Sequence, residues 1–178
     1  MTEKIMLAGV GGQGVQALGK ILASAALSEG KNVTWLPSYG AEMRGGPSNC
    51  NVIISDEEIG SPSIDRAAAL LAMSQSAVDR FEKLVETDGL ICVNTSLIKH
   101  LPKRSDVQIK TAAISDIAVE LGDARYANMV MLGAYLSLRP VLLLETIQSE
   151  IKNLFGKKSA QLVEINIKAI EMGAAAIQ

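Results

Sequence analysis

The feature that most constrains the fold is the order of an apolar run, a glycine-rich turn and an amphipathic segment at the start of the chain. Residues 4–10 (KIMLAGV) form a short apolar run typical of a buried strand. Apolar residues recur at helical spacing over residues 15–29, and Gly30 follows as a helix-ending residue. Residues 32–36 predict a second strand. This β–α–β order is typical of an α/β protein with a parallel sheet.

The remaining sequence divides into an alternating part and a purely helical part. Further strands are predicted at 51–54, 69–72, 90–93 and 108–113, with helices at 75–87 and 115–121, the last capped by Ser115. Helical patterns alone follow, over 128–137, 142–155 and a last segment whose apolar seam runs from Val163 to Ile177. We therefore predict one domain over residues 1–178. Its fold class is α/β: Rossmann-like and doubly wound, with a mostly parallel sheet and a helical C-terminal third.

The charge and cysteine content exclude several classes of protein. The formal net charge is -2 and no basic stripe is present, so we expect neither nucleic acid nor an anionic membrane as a partner. No apolar run is long enough to span a bilayer, and the N-terminus has no signal-peptide pattern. Cys50 and Cys92 lie far apart in apolar stretches, which indicates buried, reduced thiols. These features predict a soluble, cytoplasmic protein.

The glycine-rich turn matches the G-x-G-x-x-G pattern of phosphate-binding loops over residues 9–14. A helix N-terminus at this point offers free N–H groups and partial positive charge to an anion. A dinucleotide-binding fold also needs an acidic residue at the end of its second strand, whereas this strand ends in residues 35–38 (WLPS). The glycines serve either an anion site or tight packing, including packing against another chain. The candidate residues are Gly11, Gly12, Gln13 and Gly14.

A second candidate site is the segment between the second and third predicted strands. Residues 37–48 (PSYGAEMRGGPS) are predicted as a twelve-residue loop with three glycines and two prolines, a length that is uncommon without a function. Its candidate residues are Tyr39, Glu42, Arg44 and Gly45. An arginine suits phosphate or carboxylate because its planar fork binds both oxygens. The alternative is an exposed loop with a Glu–Arg pair that contributes little to stability.

Four motifs in order resemble the γ subunits of 2-oxoacid:ferredoxin oxidoreductases. They are GGQG at residues 11–14, PSYGAEMRGG at 37–46, ISDEEIGSP at 54–62, and Asn128 followed by LGA at 132–134. The resemblance runs through most of the chain. The sequence of the second motif is most similar to the 2-oxoglutarate and branched-chain 2-oxoacid types. Under this resemblance Tyr39, Glu42, Arg44, Gly45 and Asn128 are candidate contacts of coenzyme A or of a partner subunit. Asn128 is alternatively a simple helix N-cap.

The resemblance implies a complex in which a 2-oxoacid is decarboxylated on thiamine diphosphate, electrons pass through 4Fe-4S clusters to ferredoxin, and coenzyme A accepts the acyl group. Two isolated cysteines cannot hold a cluster, and no thiamine diphosphate signature is present. The chain is therefore expected to bind no cofactor or metal by itself, with the cofactors in α, β and δ-type partner subunits. No catalytic residue is assigned.

Two other functions remain as alternatives at this point. One is a dinucleotide-dependent oxidoreductase, and the other is a nucleotide- or acyl-CoA-sensing module; both rest on the glycine loop. We also expect the isolated chain to leave an apolar surface that its partners normally cover, and to form a homodimer through it.

Overall fold

The computed structural model describes residues 1–39, 45–157 and 159–178. Within these residues the chain forms a six-stranded sheet with the strand order β2-β3-β1-β4-β5-β6. The strands are β1 (Thr2–Val10), β2 (Asn32–Tyr39), β3 (Pro47–Ser55), β4 (Ala67–Ala72), β5 (Val85–Asn94) and β6 (Gln108–Ala112). The α-helices are α1 (Val15–Ser28), α2 (Gln75–Phe81), α3 (Ile114–Glu120), α4 (Ala127–Leu138), α5 (Leu144–Phe155) and α6 (Ala160–Ala176).

The sheet confirms the predicted α/β fold class, with one exception in strand order. The pairs β1–β4, β4–β5 and β5–β6 are parallel, as predicted for a mostly parallel sheet. However, β2 is not the neighbour of β1, because β3 lies between them and is antiparallel to both. Strands β2 and β3 follow each other in the chain, and the short connection of a hairpin has a small loop-closure cost, which favours their antiparallel pairing.

The connection between β2 and β3 is shorter than predicted. Strand pairing continues through Pro37↔Cys50 to Tyr39↔Ser48, which leaves residues 40–46 as the connection instead of 37–48. Pro37 is tolerated here because β2 is the edge strand, where a missing N–H need not interrupt the sheet. The boundaries of the two elements after β4 also differ. The helix predicted to end at residue 87 ends at Phe81, and β5 begins at Val85 instead of residue 90.

Helices cover both faces of the sheet, as a doubly wound fold requires, but unequally. One face packs against α1, α4 and neighbouring helices through β-strand residues such as Leu7, Val52 and Leu71. The other face is covered by α2 and by residues of the segment after β3, over Met6 and Ala8. No helix among the described residues is both long and apolar enough to cross a bilayer.

Helix α4 is buried along most of its length and crosses α6 very closely. Gly133 of α4 faces the carbonyl oxygen of Ile170, and Gly173 of α6 faces that of Val130. A Cβ atom at either glycine would lie well inside van der Waals distance of the opposing oxygen. The crossing therefore depends on the absence of a side chain at both positions.

A buried carboxyl group lies at the amino end of the central strand β1, at the opposite end of that strand from the glycine loop. Glu3, at the start of β1, is only 6% exposed and accepts a hydrogen bond of 3.1 Å from the Tyr135 hydroxyl. Burial raises the pKa of the Glu3 carboxyl above 4.5, and the positive charge of Arg139, 3.9 Å away, opposes the rise without cancelling it. Glu86 adds a smaller repulsive contribution in the same direction as burial.

We expect Glu3→Gln to become stabilising relative to wild type as the pH rises. Because folding raises the pKa of Glu3, the folded state holds the proton more tightly, and wild-type stability falls as the pH rises from 4.5 through the raised pKa. The glutamine keeps an acceptor for Tyr135 but cannot ionise. Thermal melting of both proteins between about pH 4 and about pH 8 measures the difference. A difference in melting temperature that stays constant over this range would contradict the expectation. Glu164→Gln, at an exposed position of α6, is the surface control.

Candidate functional site

The glycine loop lies at the carboxyl ends of the parallel strands, where α/β proteins usually bind their ligands. Gly11–Gly14 join β1 to α1. Gly12 and Gly14 have φ angles of 98° and 71°, in the left-handed region that favours glycine. The first turn of α1 contains no acidic residue, so no side-chain charge there opposes an anion. The backbone conformation thus explains two of the predicted candidate glycines directly.

Gln13 fastens the glycine loop to the sheet. Its Oε1 accepts a hydrogen bond from the Val10 N–H at 2.8 Å, and its Nε2 donates to the Met73 carbonyl oxygen at 2.9 Å. Val10 ends β1 and Met73 follows β4, so one amide joins the ends of two adjacent strands. Both polar atoms of Gln13 are engaged within the chain, which indicates that the residue shapes the loop.

Gln13→Leu is expected to lower the free energy of unfolding by about 1–3 kcal/mol, because it removes the acceptor of the Val10 N–H and leaves the Met73 carbonyl oxygen with the longer hydrogen bond of 3.5 Å from Asn94. Chemical denaturation of the variant and wild type measures this loss. Gln161→Leu, on the exposed face of α6, is the matched control and should change stability by less than about 0.5 kcal/mol. Equal effects of the two substitutions would show that the bridge contributes nothing.

Asn128 attaches the start of α4 to the same loop. It is 8% exposed, and its Nδ2 donates to the Gly14 carbonyl oxygen at 3.3 Å while its Oδ1 accepts from the Met129 N–H. A Cβ atom on Gly14 would lie 2.5 Å from the Asn128 Nδ2, so the two residues are in tight contact. The N-cap position of α4 is Tyr126. The interpretation of Asn128 as an N-cap is therefore wrong, and its side chain contacts the predicted site.

The connection after β2 also contacts the glycine loop. Tyr39 is the last residue of β2, and exposed Gly45 has a φ of 73°. The Gly11 N–H donates to the Gly46 carbonyl oxygen at 2.8 Å. The structure therefore brings Gly11, Gly14, Gly45 and Asn128 to one edge of the sheet, as one neighbourhood. Glu42 and Arg44 lie outside the described residues.

The same geometry weighs against a dinucleotide site. Strand β3 pairs with β1 as far as Val10↔Pro47, and Gly46 lies against Gly11. In a dinucleotide-binding unit the second strand lies beside the first, with its ribose-binding acid at its end. Here β3 takes that place, and β2 ends one strand further out with no acid in residues 35–38.

Asn94 and Ser115 lie at the same carboxyl end of the parallel strands as the glycine loop. Their contact was not predicted from the sequence. Asn94 ends β5 and is fully buried; its Nδ2 donates to the Ser115 Oγ at 2.8 Å, and its Oδ1 accepts from the Ser115 N–H. Ser115 is not the predicted N-cap, because Ala113 holds that position in α3. The signal in the sequence was a polar residue directly after the apolar run ICV.

The described part of the site has no group suited to acid–base or metal chemistry. The side chains that contact the glycine loop, Gln13 and Asn128, are uncharged. No group of three His, Cys, Asp or Glu residues with metal-binding geometry occurs among the described residues. Cys50 and Cys92 are free and buried on β3 and β5, as predicted, and burial raises the pKa of both thiols to about 12. They do not fit as thiolate ligands of an iron–sulfur cluster.

The chain is similar over nearly its whole length to known oxidoreductase subunits. Residues 4–176 match the family described as pyruvate ferredoxin/flavodoxin oxidoreductase. The chain is 38% identical to ketoisovalerate oxidoreductase subunit VorA of Methanothermobacter marburgensis. This match covers 96% of the present chain but 36% of VorA. It is 34% identical to 2-oxoglutarate synthase subunit KorC of Archaeoglobus fulgidus, over 95% of this chain and 84% of KorC.

A solved structure gives the same result for the fold. The gamma subunit of a keto/oxoacid ferredoxin oxidoreductase from Geobacter sulfurreducens superposes with a TM-score of 0.86 at 32% identity, covering 100% of this chain and 99% of that one. The chain spans about a third of the length of the VorA relatives and most of the length of the KorC and Geobacter proteins. The matched residues, the identities and the shared fold show that this chain belongs to the pyruvate ferredoxin/flavodoxin oxidoreductase family.

Proposed function

We propose that this chain is the γ subunit of a 2-oxoacid:ferredoxin oxidoreductase complex. The complex converts a 2-oxoacid, coenzyme A and oxidised ferredoxin into acyl-CoA, CO2 and reduced ferredoxin. The observation that carries the proposal is the end-to-end match to a gamma subunit in both sequence and fold. The names of the VorA and KorC relatives support a branched-chain 2-oxoacid or 2-oxoglutarate as the substrate.

The cofactors of such a complex belong to its other subunits. Two protonated, buried cysteines on separate strands do not fit a 4Fe-4S cluster, and no step of electron transfer is assigned to this chain. We therefore propose that α, β and δ-type partner subunits hold the thiamine diphosphate and the clusters. The reducing conditions that two free thiols suit favour the cytoplasm.

The role proposed for this chain is to shape and close one edge of the active site. The glycine loop, the connection after β2 and the start of α4 meet at the carboxyl edge of the sheet. Backbone N–H groups at the start of α1 and the side chain of Arg44 supply donors for a phosphate of coenzyme A or a carboxylate of a partner subunit. The residues proposed to form this edge of the active site are Gly11, Gly12, Gly14, Tyr39, Glu42, Arg44, Gly45 and Asn128. Gln13 holds the glycine loop in shape.

The purified chain alone is expected to oxidise no 2-oxoacid and to contain neither iron nor thiamine diphosphate. The physical reason is that its thiols are buried and protonated, and its described site side chains are uncharged. Metal analysis and cofactor extraction of the pure chain test this expectation. Iron in stoichiometric amount would contradict the assignment of the clusters to other subunits. Bound nucleotide after purification would instead favour the dinucleotide alternative.

A further inference from the structure

One half of the sheet is covered by a helix on one face only. Helix α1 packs on β2 and β3 from one side, whereas α2 on the other side lies over β1 and β4. In α/β proteins both faces of such a sheet are normally covered. We call the uncovered surface of β2 and β3 the open face. It consists of the alternate residues Thr34, Leu36, Ser38 and Asn51; Asn49, the next in this row, shares a small cavity with Ser76 and Ala77 of α2 and is not counted.

The open face is apolar at its centre and has unused hydrogen-bonding atoms around it. Leu36 is 42% exposed and lies directly opposite Asn51 in the strand pairing. Thr34 Oγ1 and Asn51 Oδ1 have no hydrogen-bond partner among the described residues, although both atoms are shielded from solvent. Within the described part of the chain, Leu36 therefore lies exposed beside two polar atoms that lack a partner, on a part of the sheet that no helix covers from this side.

An acidic rim borders the open face next to Thr34. A cavity of about 310 Å³ there is lined by Lys4, Ile53 and residues of the segment after β3. The acidic residues around it, Glu57, Glu58 and Asp65, outnumber the single cation Lys4. Asp56 is neutralised by Lys31 at 2.9 Å, but within the described residues Glu57 and Glu58 form no ion pair. These exposed carboxylates are part of the ISDEEIGSP motif, for which the proposed active-site edge has no use.

We propose that the open face is the docking surface for another subunit of the complex. The docking segment places an apolar side chain over Leu36 and directs a lysine or arginine toward Glu57 and Glu58. This inference rests on the proposed function, which supplies the partner subunits. A second copy of this chain fits less well, because the rim of its own open face carries more acidic residues than cations and so offers little positive charge to Glu57 and Glu58. The open face also continues along β2 and β3 toward the glycine loop, so a subunit docked here reaches the proposed active-site edge.

The test follows the chemical accessibility of position 36 in the complex. The native cysteines are fully buried, so Leu36→Cys introduces the one readily alkylated thiol among the described residues. Its rate of reaction with a maleimide is measured with and without the purified partner subunits. We expect protection of about tenfold or more when Leu36 is buried in an interface. Leu154→Cys on α5, where the native leucine is 38% exposed, is the matched control and should react at an unchanged rate.

A second measurement tests the acidic rim. Glu57→Lys combined with Glu58→Lys should weaken binding of the purified partner subunits by about tenfold, mainly through the association rate and less so at high salt. Glu164→Lys on α6 is the charge control and should leave binding unchanged. If the wild-type chain binds these subunits while position 36 stays reactive, the docking surface is wrong and the proposed function stands. If the wild-type chain does not bind them at all, both proposals fail.

Discussion

Gly133→Ala is expected to lower the free energy of unfolding by about 3 kcal/mol, or to prevent folding altogether. The new methyl group would lie against the Ile170 carbonyl oxygen at the crossing of α4 and α6. That oxygen is backbone, so it cannot move aside unless the two helices separate. Separation would open the larger apolar cluster, to which Val130, Leu132 and Tyr135 of α4 contribute as fully buried residues.

The sign of this effect separates tertiary packing from helix propensity. In an isolated helix, alanine is favoured over glycine by about 1 kcal/mol, so propensity alone predicts that Gly133→Ala stabilises the protein. Chemical denaturation decides between the two signs. Gly60→Ala is the control, since no atom lies within 4 Å of its Cβ position and its φ angle is not in the left-handed region. A stabilised Gly133→Ala variant would show that α4 and α6 do not cross as closely as described.

Arg44→Ala is expected to impair the assembled complex by roughly ten- to a hundred-fold. A hydrogen bond to a charged group contributes about 1.5–3 kcal/mol, which corresponds to that range in coenzyme A affinity, turnover or assembly. Arg44 lies outside the described residues, but Gly45 and Gly46 place the end of its segment beside the glycine loop. The kinetics of the reconstituted complex, measured as a function of coenzyme A concentration, give the size of the loss.

The folded chain itself should tolerate the loss of Arg44. Thermal melting of the isolated Arg44→Ala chain should match wild type, because the sequence predicts a loop at Arg44, and an arginine in a loop contributes little to a core. Arg66→Ala is the control: Arg66 is exposed, precedes β4 and lies at the opposite edge of the sheet from the glycine loop. If assembly, turnover and coenzyme A dependence are unchanged in the Arg44→Ala complex, Arg44 has no role in the proposed active-site edge.

Local sequence patterns predicted the elements of the fold better than their arrangement. The glycine turn and α1 follow from residues close together in the chain. The spacing in α5 predicts a buried seam of Leu144, Ile147, Ile151 and Leu154, but in the structure the two isoleucines are buried and the two leucines are exposed. The insertion of β3 between β1 and β2 does not, because a strand's partner depends on contacts between distant residues. For the same reason the local sequence predicts a loop at Pro37, whereas the structure has an edge strand there.

The candidate site shows the same division. Gly12 and Gly14 were predictable because a glycine pattern reports backbone conformation at its own position. The contact of Asn128 with Gly14 joins residues 114 positions apart, and that of Gln13 with Met73 spans 60. Nothing in the local sequence distinguishes such an asparagine from a helix cap. Four ordered motifs predicted the family because together they carry long-range information that no single motif holds.

The assignment of this chain as a γ subunit is tested most directly by omission and add-back. The partner subunits are purified without this chain, and the rate of ferredoxin reduction is measured with branched-chain 2-oxoacids, 2-oxoglutarate and pyruvate in the presence of coenzyme A. We expect little activity until the purified chain is added, then saturation at a fixed subunit ratio and preference for one of the first two substrate classes. Full activity of the partner subunits without this chain, unchanged by its addition, would contradict the assignment.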